Sequence, residues 1–162
     1  MTIQTQLEHC SSLVVLGVGS DLRADDAAGL IAARAVTSLL RRSPHIPVHV
    51  LLGETAPENL TGEIRRLAPS HILIIDAADM GCAPGTIAVI PQEKANGISF
   101  ATHALPLSVL CDYLTRETGA VVVLVGIQPA SLKFGDPVTE AVNQAAQQVA
   151  EIVAAIATEP RG

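Results

Sequence analysis

The segment from Val14 to Gly29, which reads VVLGVGSDLRADDAAG, most constrains the fold of this chain. Its β-branched and aliphatic first part predicts a buried strand, and Gly17 and Gly19 allow a tight turn where the strand ends. The apolar residues that follow recur at helical spacing and predict a helix from about residue 26 to residue 42. A strand that leads directly into a helix indicates an α/β sheet, and ligands bind such sheets at the carboxyl ends of the strands.

Two adjacent acids, Asp25 and Asp26, stand at that end of the first strand. An acidic pair would repel a phosphate group, so this turn favours a cation or proton-transfer chemistry. The dinucleotide-binding pattern G-x-G-x-x-G is also incomplete, because its third glycine is missing after Gly17 and Gly19. Either acid can instead cap the helix by accepting backbone N–H bonds, a role worth about 1 kcal/mol, and we expect that capping or positioning role for Asp25.

Strand and helix patterns alternate along the rest of the chain. This alternation predicts one domain, residues 1–162, with a three-layer α/β/α fold and a twisted, mostly parallel five-stranded sheet. The third strand, continuously apolar, should be central, and the fourth, bracketed by prolines, should lie at an edge. The predicted strands are Leu13–Val18, Val48–Leu52, Ile72–Ile75, Thr86–Ile90 and Val121–Ile127, the predicted helices span about 26–42, 57–67, 106–115 and 137–157, and residues 95–104 are predicted to form a loop.

The composition excludes several classes of protein. A net charge of −6, with no large cluster of basic residues, argues against nucleic acid as a partner. No apolar run approaches the roughly 20 residues of a membrane span, so we expect no membrane insertion. The amino terminus does not resemble a signal peptide, and the three cysteines are widely spaced. These features predict a cytoplasmic protein with reduced thiols.

Three residues on different predicted loops could together bind a divalent metal. Asp76 follows the third strand and should lie beside Asp26 if the first and third strands are neighbours. His103 precedes a helix on a loop at the functional rim. Two carboxylates and an imidazole suit a divalent metal with open coordination positions. A capping role for Asp76 and an inert loop position for His103 remain open, and the other four histidines are expected to be mostly solvent-exposed.

Several short motifs, taken in order, resemble the nickel–iron hydrogenase maturation endopeptidases, in particular the branch that serves the formate-hydrogenlyase enzyme, hydrogenase 3. The similarity runs over nearly the whole chain, and the motifs that carry it are Gly17-Val18-Gly19 with Asp25-Asp26 and Gly29, Ala56-Pro57-Glu58-Asn59, Ile75-Asp76-Ala77-Ala78-Asp79-Met80-Gly81, Pro84-Gly85, Thr102-His103 with Pro106-Leu107, and Gly126-Ile127-Gln128-Pro129.

The resemblance implies an aspartyl-type endopeptidase that removes the carboxy-terminal extension of a nickel–iron hydrogenase large-subunit precursor once nickel has been inserted. It implies that Asp26, Asp76 and His103 are the metal-binding and catalytic residues, and that the nickel is the precursor's own, bound transiently. The alternative is a non-catalytic checkpoint or chaperone that recognises the nickel-loaded precursor without cutting it. The chain departs from the family's usual motifs at Ser20, Ala27 and Leu52-Gly53-Glu54, none of which belongs to this metal set.

Overall fold

The computed structural model describes residues 1–40, 43–100 and 105–160. Five helices and six strands occur in these ranges. In chain order they are α1 (Ile3–Gln6), β1 (Leu13–Val18), α2 (Ala28–Leu39), β2 (Val48–Glu54), α3 (Thr61–Leu67), β3 (His71–Asp79), β4 (Ile87–Ile90), β5 (Ser99–Phe100), α4 (Leu107–Thr118), β6 (Val121–Ile127) and α5 (Glu140–Thr158). Short 3-10 turns also occupy Ala24–Ala27, Pro57–Leu60 and Gln92–Gly97.

The sheet is mixed and mostly parallel, with the strand order β2-β1-β3-β6-β4. The pairs β1–β2, β1–β3 and β3–β6 are parallel, and β4 pairs antiparallel with β6 at one edge. The predicted central position of β3 and edge position of β4 are therefore confirmed. The predicted number of five strands is wrong, because the described residues form six. The additional strand is β5, Ser99–Phe100, which pairs antiparallel with the end of β3. A two-residue strand is too short to produce a period-two pattern in the sequence.

Helices cover both faces of the sheet, as the three-layer prediction requires. On one face α1, α2 and α5 pack against side chains of β1, β3 and β6. On the opposite face α3 and α4 enclose a second apolar cluster with the alternate residues of the same strands. Burial on both faces explains why β1 is apolar at all six positions, instead of alternating between apolar and polar residues.

Two boundaries near the predicted site differ from the sequence-based expectation. Strand β3 continues to Asp79, so Asp76 lies inside the strand and not directly after it. Within the strand, Asp76 pairs with Gly126 of β6. Helix α2 begins only at Ala28, and Asp26 lies in the preceding 3-10 turn. Both acids remain at the carboxyl end of the sheet, because the pairing of β1 with β3 ends at Gly17 and Ile75.

Within the described part of the chain, no helix is both long enough and apolar enough to cross a membrane. The three cysteines are free thiols; Cys10 and Cys111 are buried and Cys82 is exposed. Burial raises the pKa of the Cys111 thiol to about 12, so this side chain behaves as a neutral core residue.

Candidate active site

The carboxyl ends of β1 and β3 are neighbours, as the site prediction required. The connection from β1 to α2 carries Asp26, and β3 carries Asp76 one residue beyond its last pairing with β1. Both carboxyl side chains are fully buried. A buried carboxylate is costly to maintain without compensating polar or charged groups, so two at one edge of a sheet indicate a specialised site.

Two glycines allow the turn with Asp26 to pack this closely on the strand ends. A β-carbon on Gly29, at the start of α2, would overlap the carbonyl oxygens of Val18 and Ile75. One on Gly19, whose φ is +139°, would overlap the carbonyl oxygen of Asp26. The turn is held by the backbone N–H of Ser20, which donates to that oxygen at 3.3 Å. Glycine at these two positions therefore sets how close Asp26 lies to β3.

Asp25 has a separate, structural role. Its carboxylate is fully buried and accepts hydrogen bonds from the backbone N–H groups of Ala130, Ser131 and Thr139, at 2.8, 3.2 and 2.7 Å. The Thr139 hydroxyl, at the N-cap of α5, donates to the same carboxylate at 3.0 Å. The expected positioning role is confirmed, but the acid supports the start of α5 and not that of its own helix α2. Asp25 thereby fixes the β6–α5 loop against the β1–α2 turn.

Gln128 holds the other side of this edge. It lies just after β6 and is only 7% exposed. Its Oε1 accepts hydrogen bonds from the backbone N–H groups of Met80 and Cys82, at 2.7 and 3.3 Å, and its Nε2 donates to Asp79 Oδ1 at 3.2 Å. The carboxamide thus fixes the chain that leaves β3, four to six residues after Asp76. Sequence analysis did not single out this role, because nothing near Gln128 in the sequence indicates which loop its amide contacts.

A surface cleft of about 420 Å³ lies beside the turn that carries Asp26, and it is lined by residues 19–22, Leu30, Glu54 and Thr55. Asp21 on its rim forms a two-bond ion pair with Arg34, at 2.9 and 2.7 Å. The hydrogen bonds from the Arg34 guanidinium hold the pKa of the Asp21 carboxyl below its ordinary value. Asp21 is half-exposed and its carboxylate is paired with Arg34, so we assign it to the rim of the cleft and not to the catalytic groups.

Four of the five histidines lie in the described part of the chain. His9, His45 and His49 are exposed, as expected. His71 is only 6% exposed, which agrees with the expectation that most, and not all, of these four histidines are solvent-exposed. Its Nδ1 lies 2.9 Å from Ser70 Oγ at the opposite, amino end of the sheet. His103 lies outside the described residues, and its role stays a prediction.

Within the described ranges, no three His, Cys, Asp or Glu side chains are grouped so that they could hold a metal ion. The predicted three-ligand set includes His103, which lies outside these ranges. Asp26 and Asp76 are the members of the set that the structure describes. Their predicted roles as metal ligands and catalytic groups therefore stay predictions.

Fold and site together define the class of protein: a three-layer α/β domain whose ligand-binding edge carries buried carboxylates in place of a phosphate-binding loop. Comparison with known proteins narrows this class. A family model described as HycI, hydrogenase maturation protease, matches residues 33–156. The chain belongs to the hydrogenase maturation protease family.

Individual relatives agree with this assignment. The hydrogenase 3 maturation protease of Escherichia coli strain K12 is 38% identical over 137 residues, which cover 84% of this chain and 85% of the relative. The crystal structure of the [NiFe] hydrogenase maturation protease HycI from Thermococcus kodakarensis superposes with a TM-score of 0.85 at 28% identity, covering 95% of this chain and 97% of that one. The solution structure of the endopeptidase HycI from Escherichia coli gives a TM-score of 0.74 at 34% identity, with 87% of each chain covered.

These relatives are proteases, and the protein is accordingly a hydrogenase maturation endopeptidase. The comparisons support the protease prediction over the non-catalytic alternative.

Proposed function

We propose that this protein removes the carboxy-terminal extension of a nickel–iron hydrogenase large-subunit precursor after nickel has been inserted. The observation that carries the proposal is the pair of fully buried carboxylates, Asp26 and Asp76, at the adjoining ends of β1 and β3. Family membership supplies the reaction class, because the family model and the relatives are described as hydrogenase maturation proteases.

In this proposal the nickel is part of the substrate, carried by the precursor. Asp26 and Asp76 supply carboxylate oxygens, and His103 supplies an imidazole nitrogen; this mixed donor set is compatible with nickel and lacks the thiolates of a closed structural site. Three ligands leave positions open for groups of the precursor. The set therefore recognises the loaded precursor and places its scissile peptide bond at this edge.

Cleavage adds one water molecule across the peptide bond and transfers a proton to the leaving amine. A carboxylate within reach of that water can accept its proton, and the metal can polarise the scissile carbonyl. Both carboxyl side chains are fully buried, at the edge where the precursor's nickel would be bound.

The direct test is to incubate the purified protein with nickel-loaded and with nickel-free precursor and to measure the mass of the large subunit. We expect a shortened large subunit from the loaded form only. Asp112→Asn, which changes an exposed acid on α4, is the matched control for substitutions at the site. Cleavage of nickel-free precursor at an undiminished rate would contradict recognition through nickel, and binding without cleavage would indicate a checkpoint.

Whether the nickel comes from the precursor or from this protein can be tested separately. We expect the isolated protein to contain little metal as purified and to bind nickel weakly, because the donor set is complete only with the precursor's own ligands. Elemental analysis after dialysis against a chelator measures this. A stoichiometric ion that survives the dialysis would mean that the protein carries its own resident metal.

A further inference from the structure

Two large apolar side chains stand exposed on neighbouring loops at the carboxyl edge of the sheet. Leu22, in the β1–α2 connection, is 63% exposed, and Phe134, in the β6–α5 loop, is 71% exposed. The chain has only two phenylalanines, one tyrosine and no tryptophan, so this exposure uses a rare residue type. Exposed aromatic side chains are typical of the energetically dominant positions of protein interfaces.

The two side chains belong to one fixed unit. The backbone N–H of Gly135 donates to the carbonyl oxygen of Leu22 at 2.9 Å, and that of Asp136 donates to the Lys133 carbonyl at 3.2 Å. The bond between Asp136 and Lys133 closes a tight turn in which Gly135 has a φ of +85°. Phe134 lies at the tip of this turn. Asp25 binds the same loop on both sides of this turn through Ala130, Ser131 and Thr139. An ordered display lowers the entropy lost when a partner binds.

This unit lies close to the candidate active site. Leu22 precedes Asp26 by four residues, so their Cα atoms are at most about 14 Å apart. A standard protein interface buries about 800 Å² on each partner, equivalent to a disc of about 16 Å radius. A protein substrate docked over Asp26 therefore covers Leu22, and with it the turn of Phe134. Leu22 also lines the 420 Å³ cleft beside the turn that carries Asp26.

We propose that Leu22 and Phe134, together called the Leu22–Phe134 ridge, dock an apolar surface patch of the hydrogenase large-subunit precursor next to its cleavage site. This inference rests on the proposed function. The ridge acts in binding: it supplies affinity for the folded precursor, while Asp26 and Asp76 act on the nickel and the scissile bond. Exposed Lys133 and Asp136 flank Phe134 with opposite charges, so the recognition is apolar and not based on net charge.

The test measures cleavage of the nickel-loaded precursor by Phe134→Ala, Leu22→Ala and the double variant. We expect KM to rise about tenfold for Phe134→Ala, about threefold for Leu22→Ala and about thirtyfold for the double variant, with kcat within about twofold of wild type. Tyr113→Ala, which removes an exposed aromatic side chain on α4, is the matched control and should leave KM unchanged. Equal KM values for wild type and the double variant would overturn the proposal.

A binding measurement separates this inference from the proposed function. If the wild-type protein fails to cleave the precursor, the proposed function fails, and the ridge is then judged by the affinity of the same variants for immobilised precursor. Sedimentation of the free protein tests whether a second copy of this chain, and not the precursor, binds the ridge. Self-association of the wild type that Phe134→Ala abolishes, with precursor affinity unchanged, would identify a second copy of this chain as the partner and contradict the proposal.

Discussion

The two ends of the β1–β3 strand pair are both rich in polar groups, but they use different chemistry. At the amino end, Ser70 Oγ accepts hydrogen bonds from the backbone N–H groups of Ser11 and Ser12 at 2.9 and 3.0 Å and contacts His71 Nδ1 at 2.9 Å. At the carboxyl end, three carboxyl side chains are fully buried: Asp25, which accepts backbone hydrogen bonds, and the candidate site residues Asp26 and Asp76.

Neutral groups that bond to the backbone of a neighbouring strand fix the chain at modest cost, because each partner is satisfied locally. A buried carboxylate costs far more to desolvate and is retained where its charge has a use. Polarity alone therefore does not identify the functional end of the sheet. The two ends differ in the kind of polar group they contain: carboxyl side chains at the carboxyl end, and a hydroxyl and an imidazole at the amino end.

Asp76→Asn should produce the largest effect on activity and tests whether the carboxyl end of the sheet is the functional end. The substitution keeps the size of the side chain and removes its charge, so we expect precursor cleavage to fall about a thousandfold while the circular dichroism spectrum stays unchanged. Asp26→Asn should behave in the same way. Asp112→Asn is the control. Normal processing by a well-folded Asp76→Asn variant would remove Asp76 from the site, and the carboxyl end would then be structural like the amino end.

Asp25→Ala should destabilise the fold instead, although it changes the residue next to Asp26. It removes an acceptor from three backbone N–H groups and one hydroxyl, which predicts a loss of about 3 to 4 kcal/mol in the free energy of unfolding. Chemical denaturation measures this, and Asp21→Ala, on the exposed rim, is the control. An Asp25→Ala variant of normal stability that cannot cleave would show that the roles of the two adjacent acids are reversed.

The outcome at these adjacent acids shows how far sequence reasoning reaches. The strand run of β1 and the periodicity of α2 placed Asp25 and Asp26 at the carboxyl edge, because those patterns depend on local residues. The partners of Asp25 are more than 100 residues away in the chain, so the helix that it supports could not be predicted. The role of Gln128 could not be predicted for the same reason, because its carboxamide binds the backbone of a loop 46 to 48 residues away in the chain.

His71 shows the same limit at the other end of the sheet. The expectation that most of the four histidines are exposed did not say which one is buried, because the contacts between Ser12 and Ser70 beside His71 are tertiary. Strand β5 was missed because two residues give no pattern, and β3 was predicted too short because Asp76 interrupts its apolar run. Asp76, the residue that indicated the site, is therefore also the reason why the sequence did not predict the full length of β3.

Ser70→Ala tests the amino end with a smaller expected effect. Two backbone N–H groups lose their acceptor, so we expect the free energy of unfolding to fall by about 2 kcal/mol while kcat and KM for the precursor stay unchanged below the melting temperature. Ser43→Ala, at an exposed loop position, should change neither quantity. A Ser70→Ala variant that is fully stable but inactive would place functional chemistry at the amino end of the sheet.

The smallest effect is expected from the ion pair of Asp21 and Arg34 on the rim. Both side chains are half-exposed, so solvent screens the pair and Asp21→Asn should change the free energy of unfolding by less than about 1 kcal/mol. The pKa of Asp21 is lowered by its hydrogen bonds to Arg34, so the pair stabilises the fold above the ordinary carboxyl pKa, and this contribution is lost as the pH falls through the lowered value. Denaturation of wild type and Asp21→Asn at neutral pH and at about pH 3 measures the difference, which should be smaller in acid. A difference that grows in acid, or that exceeds the effect of Ser70→Ala, would show that this rim is a structural element comparable with the buried ends of the sheet.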